Sequence, residues 1–164
     1  MKTLIVEDDF TSRLVLQELL RPYGQAHIAV NGTEAVLAVS TALKANEPYD
    51  LVCLDIMMPE MDGHEALTAI RALERRAGRV CRRGAGLVMS QGLLKHTCSH
   101  DPECKLHCTR GSRILMVTSL HDGHTVRQSY QDTCDGFLGK PADKAKLLGC
   151  LRELELIDVE LASA

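Results

Sequence analysis

The sequence predicts an α/β fold, a parallel sheet covered by helices on both faces, and three observations carry that expectation. Short apolar runs alternate with segments of helical periodicity along most of the 164 residues, the pattern that strand–helix–strand crossovers produce. The runs are apolar at almost every position, as in LVCLD (51–55) and RILMV (113–117), which strands buried on both faces require. Aromatic residues make up only 3% of the chain and Trp is absent, so the core must be built mainly from Leu, Val, Ile, Ala and Met, which suits such an interior.

The elements follow in order. TLIV (3–6) is the first strand, and Leu14, Val15, Leu19 and Leu20 place an apolar stripe on a helix over 11–21, with Thr11 and Ser12 as candidate caps. AHIAV (26–30) is the second strand, Asn31-Gly32 turns the chain, and Ala35, Val36, Val39 and Leu43 mark the second helix. Beyond the third strand (51–55) and an Asp62-Gly63 turn, residues 65–76 form a third helix with Leu67, Ile70 and Leu73 inward. Regular patterning then stops: residues 77–112 hold five glycines, many arginines and one short apolar fragment, Leu87-Val88-Met89. Order resumes with the fourth strand (113–117), a weak helix over 122–132, a fifth strand GFLG (136–139), and a helix over 143–157 carrying Leu147, Leu148, Leu151 and Leu154.

One domain over 1–157 is expected, with 77–112 inserted in it and 158–164 as a tail. No apolar run reaches the roughly 18 residues of a membrane span, and MKTLIVEDD turns acidic before a signal-peptide core could form. The expectation is a cytoplasmic protein, whose seven cysteines are thiols or metal ligands rather than a disulfide framework. Cys53, Cys134 and Cys150 sit within apolar or helical patterns and read as small buried hydrophobes. Nine Lys/Arg against two acids give residues 75–113 a charge of +7, which leaves −10 on the remainder of a chain whose total is −3. That asymmetry sets the inserted stretch apart from its host.

In an open parallel sheet, ligands bind beyond the carboxyl ends of the strands. There the sequence places Glu7, Asp8 and Asp9 after the first strand, Asp55 after the third, Thr118 and Ser119 after the fourth, and Lys140-Pro141 after the fifth. If strands one and three are neighbours, several carboxylates converge and resist joint ionisation. A hard divalent cation such as Mg²⁺ relieves that conflict, because it takes oxygen ligands. Carboxylates, a metal, a lysine and a hydroxyl together can stabilise a transferring phosphoryl group, with Asp55 as the nucleophile forming an acyl phosphate.

The segments VEDD (6–9), LDIMMPEMDG (54–63), MVTS (116–119) and GKPAD (139–143) resemble the four signatures of the response regulator receiver domain of two-component signalling, over residues 1–76 and 113–157. The resemblance implies a flavodoxin-like sheet of order 2-1-3-4-5. It implies Asp55 as phosphoacceptor, and Mg²⁺ (or Mn²⁺) held by Asp9, Asp55 and the Met57 carbonyl, with Asp8 acting through water. It further implies that Thr118 and Lys140 grip the phosphoryl oxygens, and that Phe137 is an aromatic switch residue. The implied partner upstream is a sensor histidine kinase or phosphotransfer protein. Downstream it is a protein target on the face of the fourth helix, fifth strand and fifth helix, with the receiver a monomer or a phosphorylation-promoted dimer. A stand-alone, chemotaxis-type receiver without a DNA-binding output domain, and not itself an enzyme, is the expectation. A metal-dependent aspartyl-phosphate phosphohydrolase and a phosphorylation-independent pseudo-receiver are the alternatives. Met57 departs from residues able to hydrogen-bond an attacking water, as does Leu120.

Connections of 2–6 residues are usual between such elements, so the stretch over 77–112 is about thirty residues too long. Within it, His96, Cys98, His100, Cys104, His107 and Cys108 offer enough ligands for a tetrahedral zinc. The spacing C-x5-C-x3-C matches no standard ribbon, and a basic contact loop or a stretch free of folding constraint are the plainer readings.

Overall fold

A computed structural model describes residues 1–77, 87–90, 93–96, 111–119 and 133–157, the two short internal stretches as backbone only. The elements are β1 (Lys2–Val6), α1 (Phe10–Leu20), a 3-10 turn (Arg21–Tyr23), β2 (Gln25–Ala29), α2 (Gly32–Lys44), β3 (Leu51–Asp55), α3 (Gly63–Arg76), β4 (Leu87–Ser90), β5 (Leu93–His96), β6 (Arg113–Ser119), β7 (Gly136–Lys140) and α4 (Lys144–Glu153). Five parallel strands form one sheet in the order β2-β1-β3-β6-β7. With the β4–β5 pair set aside this is the expected order 2-1-3-4-5. The weak helix expected over 122–132 and the tail over 158–164 lie outside the described residues, as do Cys98, His100, Cys104, His107, Cys108 and the side chain of His96.

Strand alternation explains why the middle positions of the central strands are apolar on both faces. Leu4, Val6, Val52, Leu54, Ile114 and Met116 point to one face, against Ala35 and Val39 of α2 and Leu67 and Ile70 of α3. Ile5, Cys53, Leu115, Val117 and Leu138 point to the other, against Leu16 and Leu20 of α1 and Leu147 and Leu151 of α4. Each strand therefore contributes to two cores at once. Cys53 is fully buried, and burial first, with Cys150 nearby, pushes its thiol up to about 12, so it packs as an inert hydrophobe.

All four α-helices among the described residues open on an Asp or Asn cap. Asp9 accepts from Ser12 N–H at 2.8 Å, Asn31 from Glu34 N–H at 2.8 Å, Asp62 from Glu65 N–H at 2.9 Å and Asp143 from Lys146 N–H at 2.9 Å. Glu65 returns a bond to Asp62 N–H, completing a capping box. Two local expectations are thereby corrected. Thr11 and Ser12 lie inside α1 rather than capping it, and Asn31-Gly32 starts α2 rather than making a free turn. The last helix stops at Glu153 rather than 157, and Glu155 takes a left-handed φ of 57° just past it.

The inserted stretch is not wholly irregular as expected. Leu87–Ser90 and Leu93–His96 pair antiparallel, Ser90 opposite Leu93 and Leu87 opposite His96, around the two-residue link Gln91-Gly92. Two short strand runs around a Gly-containing link are a hairpin signal of which the apolar fragment was one half.

Where the stretch rejoins the sheet, a buried ionic network ties three segments together. Arg71 Nη1 donates to Glu74 Oε2 and to Ser112 O, both at 2.8 Å; Nη2 reaches Asp135 Oδ2 at 2.6 Å and Nε reaches Thr133 O at 3.1 Å. Glu74 Oε1 accepts from the N–H of Ser112 at 2.7 Å and also from its hydroxyl. Burial alone would depress the Arg71 guanidinium, but Asp135 and Glu74 outweigh it and hold its pKa above the ordinary value.

A stability prediction arises in α4. A Cβ built at Gly149 meets nothing within 4 Å, so Gly149→Ala removes backbone freedom from the unfolded chain without a clash. Urea unfolding should show a gain of about 1 kcal/mol.

Candidate functional site

The carboxyl ends of β1, β3, β6 and β7 lie side by side. Asp55 is the last residue of β3 and pairs with Val117 of β6; Thr118 pairs with Gly139, and Ser119 with Lys140, on β7. Glu7 follows β1 directly, and its N–H donates to Ala29 O at 3.1 Å. Gly63, first residue of α3, lets that helix approach the acceptor: a Cβ there would stand 2.3 Å from the Asp55 carbonyl oxygen. Parallel pairing and the register thus bring four of the expected residues, Asp8, Asp55, Thr118 and Lys140, to one end of the sheet.

Lys140 Nζ lies between two buried carboxylates, 2.8 Å from Asp55 Oδ2 and 2.9 Å from Glu7 Oε1, whose side chains are 5% and 0% exposed. Burial would lower the lysine's pKa, yet its hydrogen bonds to Asp55 and Glu7 raise it above the ordinary value. Among the described residues Asp55 Oδ1 keeps only a long 3.4 Å contact from the Met57 N–H. Glu7 Oε2 is buried with no hydrogen-bond partner among the described residues. Burial is the main reason its carboxyl rises to about 7, an effect opposed by the Lys140 hydrogen bond and reinforced by the charge of Asp55.

Glu7, Asp8 and Asp55 can each offer an oxygen with all three within 4.8 Å of one another. This differs from the expected ligand set in one residue. Asp9, expected to join Asp55 directly, is turned away: its carboxylate caps α1 on Ser12 N–H, which lowers its pKa, and it is fully exposed. Glu7 takes the place in the cluster. The reason is where β1 stops: the strand ends at Val6, so the first two residues beyond it face the crevice and the third already belongs to the helix start. The signal was available, since an Asp one residue before a helical run and three before Ser12 is an N-cap pattern. An orphaned buried carboxylate oxygen and an all-oxygen donor set fit a hard divalent cation.

Thr118 is 7% exposed and its hydroxyl donates to Ser119 O at 3.2 Å. Phe137 is half-buried against the α2/α3-side core. Met57 is 69% exposed. The six Cys/His candidates for zinc cannot be placed, because their side chains fall outside the described residues.

Residues 3–81 match the family model of the response regulator receiver domain. The fold superposes on the receiver domain of the histidine kinase CKI1 from Arabidopsis thaliana, solved with Mg²⁺ and BeF₃⁻, with a TM-score of 0.64, 27% identity, and coverage of 94% of this chain and 89% of that one. The chain belongs to the response regulator receiver family. Curated relatives of this receiver include histidine kinase 5 of Arabidopsis thaliana, 28% identical over 153 residues, which are 93% of this chain. They also include the two-component response regulator ORR41 of Oryza sativa subsp. japonica, 37% identical over 73 residues, 44% of this chain and 58% of that protein. The chain spans 15% of the length of histidine kinase 5. It is a receiver domain of two-component signalling, related to the receivers of histidine kinases. Among the described residues no helix is long and apolar enough to cross a membrane.

A pH dependence follows from Glu7. Its carboxyl ionises at an ordinary 4.5 when exposed and at about 7 in the folded receiver, so across that window the folded chain holds a proton that the unfolded chain has lost. The associated stability is fully present below the unfolded value and is lost as pH rises through the folded one. In EDTA, urea unfolding should therefore show stability falling between about pH 5 and pH 8. A flat or rising profile over that window contradicts the burial argument.

Proposed function

We propose that this receiver accepts a phosphoryl group on Asp55 from a phosphohistidine of a sensor kinase or phosphotransfer protein, and that it acts as a phosphoacceptor switch rather than a turnover enzyme. The observation that carries this is the Asp55 carboxylate itself: buried, held through Oδ2 by Lys140, and with Oδ1 left to attack phosphorus. As the oxygen–phosphorus bond forms, the phosphorus–nitrogen bond of the donor breaks and the imidazole keeps the electron pair. Lys140 neutralises charge on the phosphoryl oxygens, and the Thr118 hydroxyl, free to leave its weak bond to Ser119 O, turns toward them. Glu7, Asp8 and Asp55 would hold the Mg²⁺, with the Met57 carbonyl as a further oxygen ligand. When bound, the cation supplies positive charge where the carboxylates and the incoming phosphoryl group would otherwise repel.

Turning of Thr118 opens space beside β7 for Phe137 to rotate inward, which changes the surface that a downstream protein reads. Incubation of the full chain with acetyl phosphate and Mg²⁺ tests the reading. One phosphate retained on the wild type, sensitive to hydroxylamine and absent from Asp55→Asn, supports it. Continuous release of inorganic phosphate by the wild type would establish the phosphohydrolase alternative instead.

The exposed thioether of Met57 cannot position an attacking water by a strong hydrogen bond. Decay of the phosphorylated protein, followed by intact-mass spectrometry in Mg²⁺, should therefore take many minutes. Loss within seconds removes that argument.

A further inference from the structure

The strongest observation left over by the phosphoryl chemistry is the position of Arg13. Glu7, Asp8 and Asp9 are three consecutive acidic residues leaving β1; the first two offer carboxylate oxygens beside Asp55 and the third caps α1. Their carbonyl groups point back toward α1, and Arg13 accounts for all three. Its Nη1 donates to Glu7 O at 2.8 Å and reaches Asp8 O at 3.4 Å, while its main-chain N–H donates to Asp9 O at 3.0 Å. The guanidinium also lies over the Phe10 ring, 5.6 Å from its centroid, which fixes it from the solvent side. No carboxylate pairs with it among the ion pairs of the described residues. The side chain is spent on peptide carbonyls.

We infer that Arg13 is a positioning residue for the cation site: by holding the 7–9 main chain against α1, it keeps the Glu7 and Asp8 carboxylates directed at Asp55. The inference rests on the metal-dependent reading given under Proposed function. Two carboxylates next to a third repel one another, and a loop of free peptides relieves that repulsion by swinging Asp8 out to water. Arg13 opposes the swing through the carbonyls, without occupying any carboxylate oxygen that a cation would use. A planar guanidinium suits the task, since one nitrogen can reach two successive carbonyls while its face lies over Phe10.

The sign of the effect separates positioning from charge. A cation beside an anionic pocket repels a second cation, so if Arg13 acted by charge alone its removal would tighten metal binding. If it positions, removal weakens binding.

Mn²⁺ affinity of the full chain is measured by the electron paramagnetic resonance signal of free Mn²⁺, for wild type, Arg13→Met, Arg13→Gln and Arg13→Lys, with thermal unfolding in EDTA recorded for each. Loss of a group that orients metal ligands typically costs about 10-fold or more in affinity. We expect that loss in Arg13→Met and Arg13→Gln, and partial recovery in Arg13→Lys, whose ammonium can serve one carbonyl. Unchanged or tighter binding in a folded Met or Gln variant overturns the inference. So does weakening that follows the fall in unfolding temperature across all three variants with no recovery by lysine. Absence of Mn²⁺ binding by the wild type at millimolar metal overturns the metal reading itself, and this inference with it.

Discussion

Lys140→Met unfolds at markedly lower urea than the wild type in EDTA at neutral pH, by about 3 kcal/mol or more. Among the described residues the lysine is the one group that hydrogen-bonds both Glu7 and Asp55, whose side chains are 0% and 5% exposed. A methionine of similar length fills the stem's space and leaves two carboxylates facing each other without a cation. Buried like charges do not both stay ionised, so one takes up a proton. The penalty is thus largest above the raised carboxyl pKa and shrinks as pH falls, because protonation then requires no work against the solution. Wild-type Lys140, whose own pKa is raised, contributes fully below its unfolded value, so its pairing is intact across this window. Two comparisons check the account: the deficit should be smaller near pH 5 than near pH 8, and saturating Mg²⁺ should recover part of it at pH 8. A deficit independent of both pH and Mg²⁺ would mean that lost packing, and not uncompensated charge, is responsible. The variant should also fail to retain phosphate from acetyl phosphate even when Mg²⁺ keeps it folded.

Glu74→Ala has an effect of similar size from the other end of the sheet. Glu74 is 2% exposed, and its two oxygens satisfy Arg71, the Ser112 N–H and the Ser112 hydroxyl. Truncation strands the Ser112 N–H and hydroxyl in the interior and leaves the Arg71 guanidinium short of one counter-charge, at about 3–5 kcal/mol for a buried pair broken from one side. Asp135 still pairs with Arg71 at 2.6 Å, which places the expected loss toward the lower end of that range. Glu74→Gln keeps one acceptor oxygen and should cost roughly half as much. Chemical denaturation of both variants makes the comparison, and equal losses would show that hydrogen bonding counts for nothing beyond charge. The seven residues of β6 separate Ser112 from the carboxyl end of the sheet, about 20 Å at strand rise. Folded Glu74→Ala should therefore accept phosphate at the wild-type extent.

The two networks differ in how far they could be read from the sequence. Asp55, Thr118 and Lys140 were legible because a strand end is marked by the apolar run before it, and parallel strands bring their carboxyl ends together whatever the loops between them do. The Arg71–Glu74 pair is visible as an i,i+3 spacing on a helix, but its partners Ser112 and Asp135 are 41 and 64 residues from Arg71, and no local pattern announces them. The hairpin over Leu87–Ser90 and Leu93–His96 was half visible for a similar reason: four-residue runs are too short for periodicity to separate strand from irregular chain.

Alternation of apolar runs with helical stripes, by itself, determined a two-sided parallel sheet and the end of that sheet where the acidic and basic side chains gather. Burial on both faces leaves such a chain few other ways to hide its strands. The tertiary structure decided which two of the three adjacent acids face Asp55, a choice that the N-cap pattern at Asp9 marks only in part. Consecutive residues leaving a strand point in different directions, and the choice depends on the residue at which the strand stops and the helix cap begins. Ending β1 at Val6 and capping α1 with Asp9 puts Glu7 and Asp8 into the crevice. Arg13, one turn into the helix, holds the main chain there through its carbonyl groups.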